Sequence, residues 1–231
     1  EALKGISLED DVVRIGALAR HAEVMRSQIV AQNIPMIAEA MPHVAHVAVR
    51  NRGTFGGSIA LADPAAELPA CAVALGATIV VESTRGRREI SADDFFKGLF
   101  DTEREPDELL TEVLIPRIGP NCFHSFLELA RRQGDFAIAG VACMTEVDGD
   151  TISKARLVYF ASEDRPTVGV NTVAALTNEP WSENARAAAL EALGNDLDPM
   201  TNVQGSAEFK LHLQRVLTGR ALDRIMAQAR T

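Results

Sequence analysis

The sequence predicts an α+β chain in two parts, each built from antiparallel strands and helices, with a break near residue 118. Short β-branched runs bounded by turn residues recur along the chain. Apolar residues at helical spacing lie between and after them. The stretch Arg117–Asn121, with Pro116, Gly119 and Pro120, is the strongest linker signal.

Taken in order, Val12–Gly16 reads as a strand and Ala19–Ala31 as a helix, because Ala22, Met25 and Ile29 share one face. Pro35 opens a second helix over Met36–Met41, and Pro42 closes it. A loop rich in Arg, Asn and Gly runs from Arg50 to Ser58, followed by an apolar helix over Ala65–Leu75. Ala77–Glu82 and Arg88–Ile90 read as a hairpin joined by Ser83–Arg87. Ser91-Ala-Asp-Asp94 has the spacing of a helix cap before a short turn at Phe95–Lys97, and Glu112–Ile115 is a strand ended by Pro116. Beyond the linker, Ser125–Ala130, Gly140–Val147 and Thr151–Ser162 read as strands, the last two turned by Asp148-Gly149. Helices over Glu183–Leu193 and Ser206–Gln228 follow. The expected domains are residues 1–117 and 121–231.

A net charge of −9 over 231 residues, with no basic stripe carrying interleaved aromatics, argues against a nucleic-acid partner. The short basic clusters Arg85-Gly-Arg87-Arg88 and Arg131-Arg132 read as solvated turns. No stretch approaches the ~18 apolar residues of a membrane span. Cys71, Cys122 and Cys143 are odd in number and widely spaced, so they suit neither a disulfide framework nor a C-x-x-C cluster. They are expected as small buried hydrophobes in a cytoplasmic protein. His43 and His46 lack a third ligand nearby in sequence and read as surface or packing residues; no metal site and no catalytic triad is expected.

The segment Gly53-Thr-Phe-Gly-Gly-Ser58 carries the chemistry. Glycines at 53, 56 and 57 permit positive φ and close approach, so the segment is either a structural turn or a nest of N–H groups for an anion. Thr54 and Ser58 would add hydroxyl donors. It lacks the Lys of a P-loop and does not fit G-x-G-x-x-G. Asp63 and Glu67 follow at i,i+4 spacing. Carboxylates accept hydrogen bonds from ribose hydroxyls, while Asp63 before Pro64 also suits a plain helix start.

These residues carry a resemblance. Val49-Arg-Asn-Arg-Gly-Thr-Phe-Gly-Gly-Ser58 and Ala62-Asp-Pro-Ala-Ala-Glu67-Leu-Pro69 resemble the second FAD-binding segment of the molybdenum hydroxylase flavoproteins. These are medium subunits of the carbon monoxide dehydrogenase type, similar to the flavin domain of xanthine dehydrogenase. Ile15-Gly-Ala-Leu-Ala-Arg-His21, Glu108–Pro116, Ala130-Arg-Arg-Gln-Gly-Asp-Phe136 and Ser206-Ala-Glu-Phe-Lys210 fall in family order, so the resemblance covers essentially the whole chain.

The resemblance implies the second subdomain of a vanillyl-alcohol-oxidase-like (PCMH-like) FAD-binding domain followed by a smaller α+β domain, an antiparallel sheet plus helices. It implies an oxidoreductase subunit that takes electrons from [2Fe–2S] clusters and passes them to an external acceptor. Its partners would be a large molybdenum-cofactor subunit and a small iron–sulfur subunit, in a dimer of heterotrimers. Gly53, Thr54, Phe55, Gly56, Gly57 and Ser58 would hold the FAD diphosphate, with Asp63 and Glu67 near the ribose or ribityl hydroxyls. Leu110 would lie against the adenine or flavin end, and Asp135 and Phe136 beside the isoalloxazine.

Ser58 stands where the family usually has Asn, and Glu128 where it often has Lys. The family's further N-terminal subdomain, with its A-G-G-[QH]-S-L loop, is not matched within residues 1–231; it is expected either to be missing or to lie upstream of them. Two other readings of the chain stand beside this one: a stand-alone flavin oxidoreductase and a non-catalytic assembly domain.

Overall fold

A computed structural model describes residues 3–177 and 179–230. The chain opens with strands β1 (Ile6–Glu9) and β2 (Val12–Gly16), followed by short helices α1 (His21–Arg26), α2 (Gln28–Asn33) and α3 (Pro35–Ala40). The single helix expected over Ala19–Ala31 is broken at Ser27. That residue is extended (ψ 120°), and its hydroxyl accepts from Val30 N at 3.3 Å to start α2. Next come α4 (Val47–Arg50), α5 (Phe55–Leu61) and α6 (Glu67–Ala74).

The hairpin β3 (Thr78–Ser83) and β4 (Gly86–Ser91) matches its sequence signal. Its arginines are tied rather than merely solvated: Arg88 forks onto Glu108 at 2.9 and 2.8 Å, and Arg85 pairs with Asp107. After α7 (Ala92–Phe95), capped by the Ser91 hydroxyl, lie β5 (Phe96–Gly98), β6 (Asp101–Thr102) and β7 (Leu109–Pro116). The first sheet runs β1-β2-β7-β3-β4, each neighbouring pair antiparallel.

Beyond residue 121 a second antiparallel sheet, ordered β11-β10-β9-β8, is formed by β8 (Cys122–Ala130), β9 (Ala137–Asp148), β10 (Thr151–Phe160) and β11 (Thr167–Val168). Helices α8 (Val170–Leu176), α9 (Glu183–Ala192) and α10 (Ala207–Ala229) follow. Among the described residues no helix is long and apolar enough to cross a membrane.

The period-two alternation of β9 and β10 explains how this sheet is covered on both sides. Ala142, Val158 and Phe160 join the core built by α3, α6 and the first sheet, whereas Val141, Cys143, Leu157 and Tyr159 face α10 and its neighbours. Polar ties cross the same seam. Glu39 on α3 accepts from Phe126 N and pairs with Arg224 on α10, and Arg156 donates to the Val73 carbonyl. Cys71 and Cys143 are buried as expected, but Cys122 at the start of β8 is only half-buried.

Candidate functional site

One cleft of about 420 Å³ gathers eight of the residues singled out in the sequence: Gly53, Thr54, Gly57, Ser58, Asp63, Glu67, Asp135 and Phe136. Its back wall is α5, and the sequence explains the seat of that helix. Residues 17–21 and 53–56 run side by side. His21 N donates to Gly53 O, Phe55 N to Ala19 O and Gly56 N to Ala17 O at 2.8–3.0 Å, around an antiparallel bridge between Arg20 and Thr54. Thr54 is the N-cap, its hydroxyl accepting from Gly57 N at 3.1 Å.

The glycine segment is therefore a helix start and not the open, positive-φ loop expected. None of Gly53, Gly56 and Gly57 is left-handed. Gly56 is required by close approach: a Cβ there would lie 2.6 Å from Ala17 Cα. Phe55 is fully buried in the core, so Phe55 and Gly56 hold the wall up from behind without lining it.

The N–H groups of Gly53, Phe55, Gly56, Gly57 and Ser58 all donate inside the chain, so the segment is not a free nest. What faces the cleft with donor hydrogens is the Thr54 and Ser58 hydroxyls and the Arg52 guanidinium, a cation not foreseen in the sequence. Thr54→Ala should cost about 1 kcal/mol of stability by freeing Gly57 N, with Thr54→Ser restoring it, as read from denaturant midpoints.

The carboxylates take different roles. Asp63 Oδ1 accepts from Ala65 N at 2.9 Å, an Asx turn that leads the chain into α6, whose N-cap is Ala66. Glu67, in the first turn of α6, is 5% exposed. Burial first, and then the nearby Glu128 and Asp63 charges, push its carboxyl up to about 7 against its own backbone hydrogen bond and the His43 charge. The expected ionised acceptor for ribose hydroxyls is thus only partly ionised at neutral pH.

His43 is not a bystander. Its Nδ1 lies 3.1 Å from Glu128 Oε1, and that partner, aided by Glu67 and Glu39, raises the imidazole above its ordinary value despite burial. Beside Gly53, His21 is buried, and its imidazole is lowered to about 4 by burial and by the Arg50 charge. The residue lines the cleft, and its Nδ1 is buried without a hydrogen-bond partner.

The turn between β8 and β9 closes the cleft. Gly134 takes φ +86°, and a Cβ there would lie 2.6 Å from the His46 ring, so this glycine is the one with left-handed backbone at the site. It presents Asp135 and Phe136, the ring 53% exposed, to the cleft and to an adjoining cavity of about 520 Å³ lined by Val49, Arg131 and Val203. Leu110, like Phe55 and Gly56, is an expected residue that does not line the cleft. It pairs with Val81 within the first sheet and packs half-buried against the core.

Comparison with known proteins identifies the family. Residues 1–118 match the family described as the FAD binding domain in molybdopterin dehydrogenase, and residues 124–225 the carbon monoxide dehydrogenase flavoprotein C-terminal domain. The chain is 37% identical to the nicotine 6-hydroxylase medium subunit of Paenarthrobacter nicotinovorans, over 96% of this chain and 77% of that protein. It is 35% identical to subunit alpha of the same organism's 6-hydroxypseudooxynicotine dehydrogenase complex, over 99% and 77%. It superposes on a chain of carbon monoxide dehydrogenase from Hydrogenophaga pseudoflava with a TM-score of 0.95 and 33% identity, covering 98% of this chain and 79% of that one.

Proposed function

The chain belongs to the family of FAD-binding flavoprotein subunits of molybdenum hydroxylases, and from that membership we propose that it is an electron-transfer subunit serving partner chains. One observation carries the site assignment. Thr54, Ser58, Arg52 and Phe136 converge on a single cleft with His21, whose buried Nδ1 has no partner, the mixture of hydroxyl, cation and aromatic groups that a dinucleotide flavin requires.

In this reading Arg52 and the two hydroxyls meet the diphosphate, and His21 and Asp63 offer polar contacts along the cofactor. Phe136 covers a flavin face, and Asp135 sets the charge at the mouth. Bound FAD would accept electrons singly from iron–sulfur centres and release them in pairs. The residues of this chain bind, orient and limit water access. Organic substrate chemistry belongs to a large molybdenum-cofactor subunit, and supply of electrons to a small [2Fe–2S] subunit, in a dimer of heterotrimers. Residues 1–117 and 121–231 act as the two units of the flavoprotein. Three free cysteines suit a cytoplasmic setting.

The test is flavin content in protein purified together with its partner subunits. One FAD per chain is expected, along with one large and one small, cysteine-rich partner. Gly57→Val should purify folded but with flavin lost. Its Cβ would meet only Thr54 Oγ1 within 4 Å, so the rest of the side chain projects into the cleft. Wild-type flavin content in that variant, or wild-type complex without flavin, would overturn the assignment.

A further inference from the structure

A dianionic diphosphate entering this cleft meets three carboxyl groups, Asp63, Glu67 and Asp135, against one lining guanidinium, Arg52. Two observations separate Glu67 from the others. It is buried at the floor of the cleft where Asp135 is exposed, and it sits beside a second buried carboxylate. The Glu128 side chain is 3% exposed. One of its oxygens faces His43 Nδ1 at 3.1 Å, while Oε2 is buried with no hydrogen-bond partner. A buried carboxylate oxygen without a donor leaves its negative charge uncompensated near Glu67, which favours the uncharged form of the Glu67 carboxyl.

Resting on the flavin reading above, we propose that Glu67 meets the cofactor as a neutral carboxylic acid, beside a His43–Glu128 pair, and that dinucleotide binding above neutral pH takes up one proton at Glu67. The charged groups around it are Glu128 on β8, His43 after α3, and Asp63 before α6. Glu39 on α3 is held by Arg224 and the Phe126 N–H, with His124 Nε2 at 3.8 Å. An ionised Glu67 would add a like charge to this cluster and a repulsion toward the diphosphate. The acid form adds neither, and it can donate its O–H to a hydroxyl or carbonyl of the ligand, which a carboxylate cannot do.

The raised carboxyl of the free protein sets the window. Below about pH 7 the acid is already present, and binding takes up no proton. Above it the bound anion draws a proton from solvent onto Glu67, and affinity falls by up to about tenfold per pH unit, the limit for linkage to a single proton.

The experiment is calorimetric titration with FAD at pH 6 and pH 8, each in two buffers of different ionisation enthalpy, together with infrared titration of the protein's carboxylic acid band without FAD. Wild type should show no uptake at pH 6, close to one proton at pH 8, and an acid band that disappears near neutral pH. Glu67→Gln should abolish the uptake, the band and the pH dependence of affinity. Glu128→Gln should move the titration to lower pH by removing a like charge. Zero uptake at pH 8, or a band unchanged in Glu67→Gln, would overturn the proposal. Failure to bind FAD at every pH would instead overturn the flavin assignment, and the infrared titration alone would then decide whether Glu67 holds the proton.

Discussion

Gly56→Val should strip the protein of flavin and lower its unfolding midpoint together. A Cβ at this position would lie 2.5 Å from Ala17 Cβ, 2.6 Å from its Cα and 2.8 Å from its carbonyl oxygen. Two of those atoms are backbone, so no rotamer change relieves the contact. The Ala17–Ala19 strand or the start of α5 must move. Moving either strains the ladder in which Ala17 O and Ala19 O accept from Gly56 N and Phe55 N and Gly53 O accepts from His21 N.

Overpacking in a close-fitting site costs about 1–3 kcal/mol, and each hydrogen bond lost adds roughly 0.5–1.5 kcal/mol. The total is on the order of 4 kcal/mol, a large share of the 5–15 kcal/mol typical of a whole domain. Urea unfolding followed by circular dichroism, alongside flavin content, distinguishes this variant from Gly57→Val. The latter should lose flavin at a cost in stability of no more than about 1 kcal/mol, since its side chain enters the cleft and only the Thr54 cap must yield. Wild-type flavin and stability in Gly56→Val would show that the Ala17 contact does not fix the wall.

The contrast between these adjacent glycines shows what the sequence could and could not reveal. Strands β2, β3, β8, β9 and β10 were readable because β-branched and apolar runs end at strong turn residues. The Asp148-Gly149 turn, for example, places Gly149 at φ +58°. Motif spacing also brought out much of the cleft, because residues 53–67 reach it from two adjoining helices and the turns that lead into them.

What stayed hidden depends on partners far away in the chain. Nothing local marks Gly56 as the glycine pressed against Ala17, or Gly134 as the one that needs a left-handed backbone against His46. His43 reads only as a surface or packing residue because its partner, Glu128, arrives from the second sheet. The sequence predicts a loop as far as Ser58, although the helix has already begun at Phe55, because its glycines have low intrinsic helix propensity. Tertiary ties to residues 17–21 supply what propensity lacks. Helix α8 carried too weak an apolar pattern to be found. Thr172, one of its buried residues, is held instead by Asp196 from after α9.

Glu67→Gln should stabilise the folded protein at and above neutral pH while leaving it unchanged in acid. The wild-type carboxyl moves from an ordinary value of 4.5 to about 7 on folding, with burial as the largest cause. Between those values the folded state binds the proton more than the unfolded state does. Stability contributed at this residue therefore falls as pH rises from 4.5 to 7 and is level above. The shift corresponds to on the order of 3 kcal/mol at pH 8.

Wild type alone will not display that slope cleanly. His21, lowered to about 4, gains stability as pH rises between there and 6.5, which opposes Glu67 over much of the same range. The raised His43 reinforces Glu67, since its stabilisation is present in acid and lost as pH rises through its folded value. The quantity to measure is the difference between variant and wild type in urea unfolding free energy from pH 4 to pH 9. It should be near zero at pH 4, grow through pH 5 and 6, and level off above pH 7 in favour of glutamine. A difference that is flat across the range, or that favours glutamate at pH 8, would mean that Glu67 is solvated or paired as an ordinary carboxylate. The cleft would then carry close to one more negative charge at pH 6 than the burial of Glu67 assigns to it.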